Sequence, residues 1–143
     1  MYYVDRSQIE QRLDLLPQLS GVLTESLSST KDNLILRYAE ERALHLAIEV
    51  VTDVGSCLID GFIMRDASSY EDIIEIMRDE RVVDNELASQ LTDLVRLRRP
   101  LVQDYVDWDR TRAHSLTVSL PDALGQFAVG VRAYLDQEGI KDK

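Results

Sequence analysis

The sequence predicts an all-α fold, an antiparallel bundle of four to five helices. Three observations support this class. Only six glycines and three prolines occur in 143 residues, apolar residues recur at the spacing of helical turns, and the connections between these stretches are short and polar. Because this length is usual for one domain, residues 1–143 are expected to form a single domain with a frayed tail at 139–143.

The first helix is predicted to begin after Asp5, whose carboxylate is placed to cap it, with Val4 and Ile9 spaced as a hydrophobic staple. Pro17 is expected to kink this helix, because its ring removes a backbone donor. The polar residues 28–33 lack an apolar period and are predicted to form a loop. Apolar residues mark one face of the helix: Ile9, Leu13, Leu16, Leu23 and Leu27.

The second helix, predicted from Leu34 to Phe62, carries apolar residues on two faces. The small residues Ala43, Ala47 and Gly55 would let a neighbouring helix approach closely. A helix that is apolar on both sides is central in its bundle or shared with a partner chain. Because a bundle of this size is expected to cover only one face completely, the sequence predicts a homodimer that uses part of this helix. The two stripes are Leu36, Ala39, Ala43, Leu46, Val50 and Val54, and Leu44, Ile48, Val51, Gly55, Leu58 and Phe62.

Two further capping residues mark the next helices. Ser69 precedes a short third helix, and Asp84 precedes a fourth. The last helix is predicted from Asp109 to Asp136, and Pro121 either kinks it or begins a new helix. The inward stripe of the fourth helix contains an arginine, which is unusual: Leu87, Leu91, Leu94, Arg98, Leu101 and Tyr105.

A net charge of −10 opposes non-specific binding to a phosphate backbone, so any contact with RNA must use a local patch. No stretch approaches the ~20 apolar residues that span a bilayer, and the single cysteine, Cys57, cannot form an internal disulfide, so a cytoplasmic location is expected. With only His45 and His114 as histidines, neither a metal site nor a cofactor is expected. The candidate patch consists of Arg96, Arg98 and Arg99, followed by Arg110 and Arg112.

A short motif lies between Arg96 and Tyr105. Arg98 is followed after four residues by Gln103, with Tyr105 two residues further on. This segment resembles the signature of the HepT-like family of bacterial ribonuclease toxins, in the HEPN superfamily, where the arginine is followed by histidine and then tyrosine. Arg98 and Tyr105 match that signature, whereas Gln103 stands at the histidine position.

The resemblance extends along most of the chain. Residues 41–49 are similar to the family's second-helix pattern, and Ser69-Tyr70 is similar to the start of its next helix. The opening residues 2–6 and the run 59–66 resemble the YutE-like branch of Gram-positive bacteria, in which glutamine also stands at the histidine position. The resemblance therefore covers the beginning, the middle and the motif.

The resemblance implies a helical homodimer whose active groups meet in a cleft between protomers and cleave RNA without a metal. It assigns site roles to Arg98, to position 103 and to Tyr105, the last as the target of nucleotide transfer by a nucleotidyltransferase antitoxin. Residues five apart on a helix differ in direction by about 140°. Arg98 and Gln103 would therefore need a second chain, or a kink at Pro100, to face one substrate.

In metal-free RNA cleavage the ribose 2'-hydroxyl attacks the adjacent phosphate, and a group that titrates near neutrality moves the proton. Arg98 is suited to stabilise charge on the phosphate, but glutamine cannot transfer a proton at useful pH. The expected function is therefore a metal-independent endoribonuclease site that is weak or degenerate. The alternative is a catalytically inactive dimeric helical module that binds a nucleotide or a protein partner.

The motif residues also have structural interpretations. Arg98 would pack its stem in the helix stripe and pair its guanidinium with Asp104, or with Glu86 across a dimer. Tyr105 would be a core aromatic residue with a satisfied hydroxyl.

The histidines and the cysteine have structural interpretations as well. His45 would pair with Glu41 and Glu49, each one turn away on the same helix. His114 is expected to be a solvated surface residue. If it folded back onto the site, its imidazole would replace the missing base. Cys57 is expected to be a small core residue.

Overall fold

The computed structural model describes residues 3–29 and 33–141, and these described residues form a helical bundle without a β-strand. The predicted all-α fold is confirmed. Residues 30–32 of the predicted loop and 142–143 of the predicted tail lie outside the described residues. The α-helices of the described part are α1 (Arg6–Leu13), α2 (Leu16–Ser28), α3 (Leu34–Gly61), α4 (Tyr70–Asp79), α5 (Asn85–Arg96), α6 (Arg98–Val102) and α7 (Leu120–Gln137), with 3-10 turns at Tyr105–Asp107 and Ser115–Val118.

The predicted first helix is divided into α1 and α2. Asp5 caps α1 as predicted, since its carboxylate accepts a hydrogen bond from the backbone N–H of Gln8 at 3.3 Å. The expected kink at Pro17 is wrong, because α1 ends at Leu13 and Pro17 lies in the first turn of α2. A proline is tolerated there because that N–H would have no helical partner.

α3 is the central helix and is surrounded by its own chain. Helices α1, α2, α4, α5 and α6 all contact it. The second predicted stripe is buried throughout, whereas Leu36, Ala39 and Leu46 of the first are only partly buried. Gly55 permits the close approach of α4, since a Cβ there would overlap the side chain of Ile73. The first stripe is therefore covered by its own chain only in part, and use of this helix in a homodimer stays a prediction. The large apolar residues of α3 that remain exposed lie at its N-terminal end: Leu34, Ile35 and Tyr38.

A buried polar network joins α2, α3 and the segment before α7. Glu40 is 0% exposed, and its Oε1 accepts hydrogen bonds from Ser26 Oγ at 3.0 Å and from the backbone N–H of His114 at 3.1 Å. Arg37, also buried, donates to the carbonyl and the hydroxyl of Ser26 at 3.1 and 2.7 Å. The network holds the segment that follows the motif against the first turns of α3.

The structure separates the motif from the fourth helix. Ser69 and Asp84 cap α4 and α5 as predicted, accepting from the backbone N–H groups of Asp72 and Leu87. However, α5 ends at Arg96, so the predicted continuous stripe to Tyr105 is wrong. The reason is Pro100, because its nitrogen has no hydrogen to donate to the carbonyl of Arg96 and its ring collides with that carbonyl.

The last predicted helix begins later than expected. Two 3-10 turns occupy part of the stretch between α6 and α7, and α7 starts at Leu120 with Pro121 in its first turn. The new start at Pro121, one of the two predicted alternatives, is confirmed. Among the described residues, no helix combines the length and apolar character required to cross a membrane.

Candidate functional site

Arg98 is the first residue of α6, and its side chain lies between α3 and α4. The guanidinium carbon lies 4.5 Å from the centroid of the Tyr70 ring, and Nε lies 3.9 Å from Oε1 of Glu49. Nε is buried, and no described residue accepts a hydrogen bond from it. The expected pairing with Asp104 within the chain is wrong, since Glu49 takes that place and Asp104 pairs with Arg99 at 3.7 Å. The pairing with Glu86 of another chain stays a prediction.

Glu49 lies between Arg98 and His45. The same Oε1 atom lies 3.6 Å from Nε2 of His45, one turn earlier on α3. On its other side, the His45 ring places Nδ1 3.2 Å from Nη1 of Arg42. The predicted pairing of His45 with Glu49 is confirmed, whereas Glu41 is paired with Arg110 by two hydrogen bonds instead.

Gln103 and Tyr105 lie on the surface beyond α6. Gln103 ends α6, its backbone N–H donates to the carbonyl of Arg99 at 2.8 Å, and its side chain is exposed. Tyr105 is 55% exposed, so the interpretation of it as a core aromatic is wrong. Its carbonyl accepts a hydrogen bond from Nη2 of Arg110 at 2.9 Å, which anchors the backbone and leaves the ring in solvent.

The predicted arginine patch is mostly neutralised by carboxylates of its own chain. Glu71 hydrogen-bonds to Arg96 at 2.6 Å, which raises the pKa of that guanidinium. Such pairs leave little net positive charge for a phosphate chain. The other pairs are Arg99 with Asp104 at 3.7 Å, Arg112 with Asp109 at 3.3 Å, and Arg110 with Glu41.

His114 is a packed residue, so its prediction as a solvated surface residue is wrong. Its ring stacks on Trp108 with the centroids 5.3 Å apart, and its Nδ1 accepts from the backbone N–H of Leu116 at 3.1 Å. Burial lowers the pKa of His114. The backbone N–H of His114 also donates to the distant Glu40, a contact that the local polar pattern did not reveal.

The sulfur and the acidic residues offer no alternative centre in the described part of the chain. No group of three or more His, Cys, Asp or Glu side chains there is arranged to hold a metal ion. Cys57 is half-buried against the core, and burial raises the pKa of its thiol, which keeps it unreactive.

The geometry adds Tyr70 and Glu49 to the predicted site residues. Tyr70 supports the guanidinium of Arg98 through its ring face, a favourable contact for a planar cation. Neither residue was predicted as a neighbour of Arg98, because both are far from it in sequence. The arrangement presents a supported, incompletely bonded guanidinium, which is suited to bind and stabilise a phosphate.

Comparisons with known proteins agree with this fold. The YutE protein of Bacillus subtilis (strain 168), named as a candidate RNase, is 37% identical over 138 residues, which cover 96% of this chain and 94% of YutE. A solved structure of YutE from Bacillus subtilis, described as a cytosolic protein of unknown function, matches with a TM-score of 0.88 and 36% identity, covering 100% of this chain and 99% of that chain.

A more distant solved structure shares the fold. It is a tri-AMPylated HEPN toxin of Shewanella oneidensis in complex with an MNT antitoxin, with a TM-score of 0.76, 16% identity, and coverage of 87% of this chain and 96% of that chain. A family model described as Ribonuclease HepT-like matches residues 9–128. Together with the identity to YutE, this match shows that the chain belongs to the HepT-like ribonuclease family.

Proposed function

We propose that this protein is a metal-independent endoribonuclease with a slow site centred on Arg98. The observation that carries the proposal is the state of that guanidinium. It is held by the Tyr70 ring and by a 3.9 Å contact to Glu49, yet its buried Nε has no hydrogen-bond acceptor among the described residues. The Arg98 side chain is 31% exposed, and a phosphate oxygen would bind the guanidinium from that exposed side.

The slow rate follows from Gln103. Cleavage of RNA by its own 2'-hydroxyl needs one group to take the proton of that hydroxyl and another to protonate the 5' oxygen that leaves. Arg98 supplies permanent charge for the phosphorus centre. Gln103 supplies neither proton transfer, and the absence of one such group commonly reduces the rate by a factor of about 10² to 10⁴.

Regulation by a nucleotidyltransferase antitoxin is part of the proposal. The HEPN toxin of Shewanella oneidensis is tri-AMPylated and bound to an MNT antitoxin. Tyr105 is 55% exposed on the surface beside α6, where such an enzyme would reach its hydroxyl. Transfer would join the phenol oxygen to the α-phosphorus of ATP and release pyrophosphate, adding a bulky anion next to the site.

Homodimer formation is also proposed, through an apolar patch rather than through the middle of α3. The patch consists of Leu34, Ile35 and Tyr38 on α3 together with Val106, all exposed. Arg110 joins its two halves, since its guanidinium lies over the Tyr38 ring and donates to the carbonyl of Tyr105. A second copy seated there would bring two motif segments together, as the family resemblance implies.

The test is cleavage of a labelled single-stranded RNA by the pure protein in the presence of chelator. We expect slow cleavage that Arg98→Ala abolishes, whereas Arg78→Ala, a change of an exposed arginine on α4, leaves the rate unchanged. Chelator should not reduce the rate, because the chemistry rests on side chains. A wild-type rate equal to that of Arg98→Ala would overturn the proposal and favour the silent dimeric module that binds a nucleotide or a protein partner.

A further inference from the structure

One carboxylate oxygen is shared by two side chains that are far apart in sequence. Oε1 of Glu49 lies 3.6 Å from Nε2 of His45 and 3.9 Å from Nε of Arg98. His45 is only partly buried, with 29% of its side chain exposed, so its ring is open to a substrate. The imidazole and the guanidinium are therefore close neighbours on one surface.

We propose that His45 is the residue that takes the proton of the ribose 2'-hydroxyl in this protein. The inference rests on the proposed ribonuclease function and names a catalytic residue outside the motif. It removes the need for a base at position 103, because imidazole is the side chain that exchanges a proton near neutral pH. With Gln103 at the motif position, the site then lacks only the acid that protonates the leaving 5' oxygen. It keeps the base that takes the proton of the 2'-hydroxyl.

The hydrogen-bond geometry indicates which ring nitrogen acts. Nη1 of Arg42 lies 3.2 Å from Nδ1 of His45, and a guanidinium nitrogen can only donate. Nδ1 is thus the accepting nitrogen, and the proton of the neutral ring is on Nε2, which faces Glu49. Because Arg42 is an exposed side chain, the substrate hydroxyl can replace it at Nδ1.

The chemical step balances with these groups. The 2' oxygen forms a bond to phosphorus while its proton passes to Nδ1 of His45, and Arg98 stabilises the charge on the phosphoryl oxygens. The bond from phosphorus to the 5' oxygen then breaks, and that oxygen takes a proton from water. The products are a 2',3'-cyclic phosphate and a 5'-hydroxyl end, and His45 returns its proton to solvent.

The charged groups around His45 are consistent with this role. Glu49, on the same helix, stabilises the imidazolium that forms, and Arg98 approaches from α6 through the same carboxylate. Arg42 faces Nδ1, and Glu41 is occupied by Arg110. Tyr70 of α4 contacts the guanidinium of Arg98 and so affects His45 only indirectly.

The second histidine serves as a matched control. Nδ1 of His114 already accepts from the backbone of Leu116, and its ring is stacked on Trp108. His45→Gln and His114→Gln should therefore differ in activity, and circular dichroism would confirm that both remain helical. The assay measures single-turnover cleavage of a labelled RNA in chelator between about pH 5 and pH 8, where imidazole titrates.

We expect His45→Gln to lower the rate constant for cleavage by about 10²-fold or more with little change in RNA affinity. The decrease of this rate constant at low pH should disappear in the variant. His114→Gln should keep both the rate and the pH profile. Added imidazole should partly restore the His45→Ala variant, because the free base enters the space left by the ring. A His45→Gln variant with wild-type rate and pH profile would overturn this inference alone. Absence of any wild-type cleavage would instead overturn the proposed function on which it rests.

Discussion

Tyr70, the first residue of α4, lies against the guanidinium of Arg98, the first residue of α6, with 4.5 Å between the ring centroid and the guanidinium carbon. A cation over an aromatic face is stabilised by about 0.5 to 2 kcal/mol, and the ring also fixes the plane of the guanidinium. We predict that Tyr70→Phe preserves RNA cleavage and that Tyr70→Ala reduces it about tenfold. Cleavage rates of the two variants in chelator would check this, and equal rates would show that the ring does not position Arg98.

The loop before α4 is fastened by Arg65, which donates to both carboxylate oxygens of Asp72 at 2.8 Å. This contact, with the N–H of Ser68, holds the pKa of Asp72 well below its usual range. A carboxylate whose pKa is lower in the folded state adds stability above its unfolded pKa of about 4 and loses it as the pH falls through its folded pKa. Arg65→Ala should therefore raise the Asp72 pKa and move the acid unfolding midpoint to higher pH.

Titration of the Asp72 carboxyl carbon by NMR, with acid unfolding followed by circular dichroism, would measure both effects. Arg112→Ala, which removes an exposed arginine paired with Asp109, is the control and should leave the Asp72 pKa unchanged. An Asp72 pKa that stays low without Arg65 would show that Ser68 alone is sufficient.

The buried network around Glu40 should contribute substantially to stability. Glu40→Ala would remove the acceptor of the buried Ser26 hydroxyl and of the His114 backbone N–H, a loss of about 1 to 3 kcal/mol. Urea denaturation would measure it. Glu25→Ala changes an exposed residue of α2 and should alter the free energy of unfolding by less than about 0.5 kcal/mol. Similar values for the two variants would contradict the importance of the network.

Local chemistry in the sequence was sufficient to predict much of the fold. Asp5, Ser69 and Asp84 cap helices as predicted, because a cap depends on residues within one turn. The end of α5 was missed because Pro100 acts on the carbonyl four residues earlier rather than at its own position. The burial of His114 was missed because it depends on a long-range bond to Glu40.

The site was only partly predictable for the same reason. The motif pointed to Arg98, Gln103 and Tyr105 as a group, and the structure describes where each lies. What surrounds Arg98 is set by the packing of α3 and α4, so Glu49 and Tyr70 could not be assigned to it from spacing along the chain.

The assembly prediction concerns the apolar patch at the start of α3. Light scattering at micromolar concentration should give about twice 16.3 kDa for the wild type. Ile35→Glu, which places a charge in the patch, should give a monomer. Val129→Glu, at an exposed residue of α7, should leave the dimer intact. A wild-type mass that stays monomeric as concentration rises would contradict the prediction.

The central claim is that the site is centred on Arg98 and lacks a proton-transfer group. The most direct test is RNA cleavage by the Gln103→His variant in the presence of chelator. Histidine there should raise the wild-type rate by about 10² or more, because it supplies the acid for the 5' oxygen. Arg98→Ala in that background should abolish cleavage, because Arg98 supplies the charge that stabilises the phosphate. A Gln103→His rate equal to that of the wild type, or one that survives Arg98→Ala, would show that the reaction takes place elsewhere.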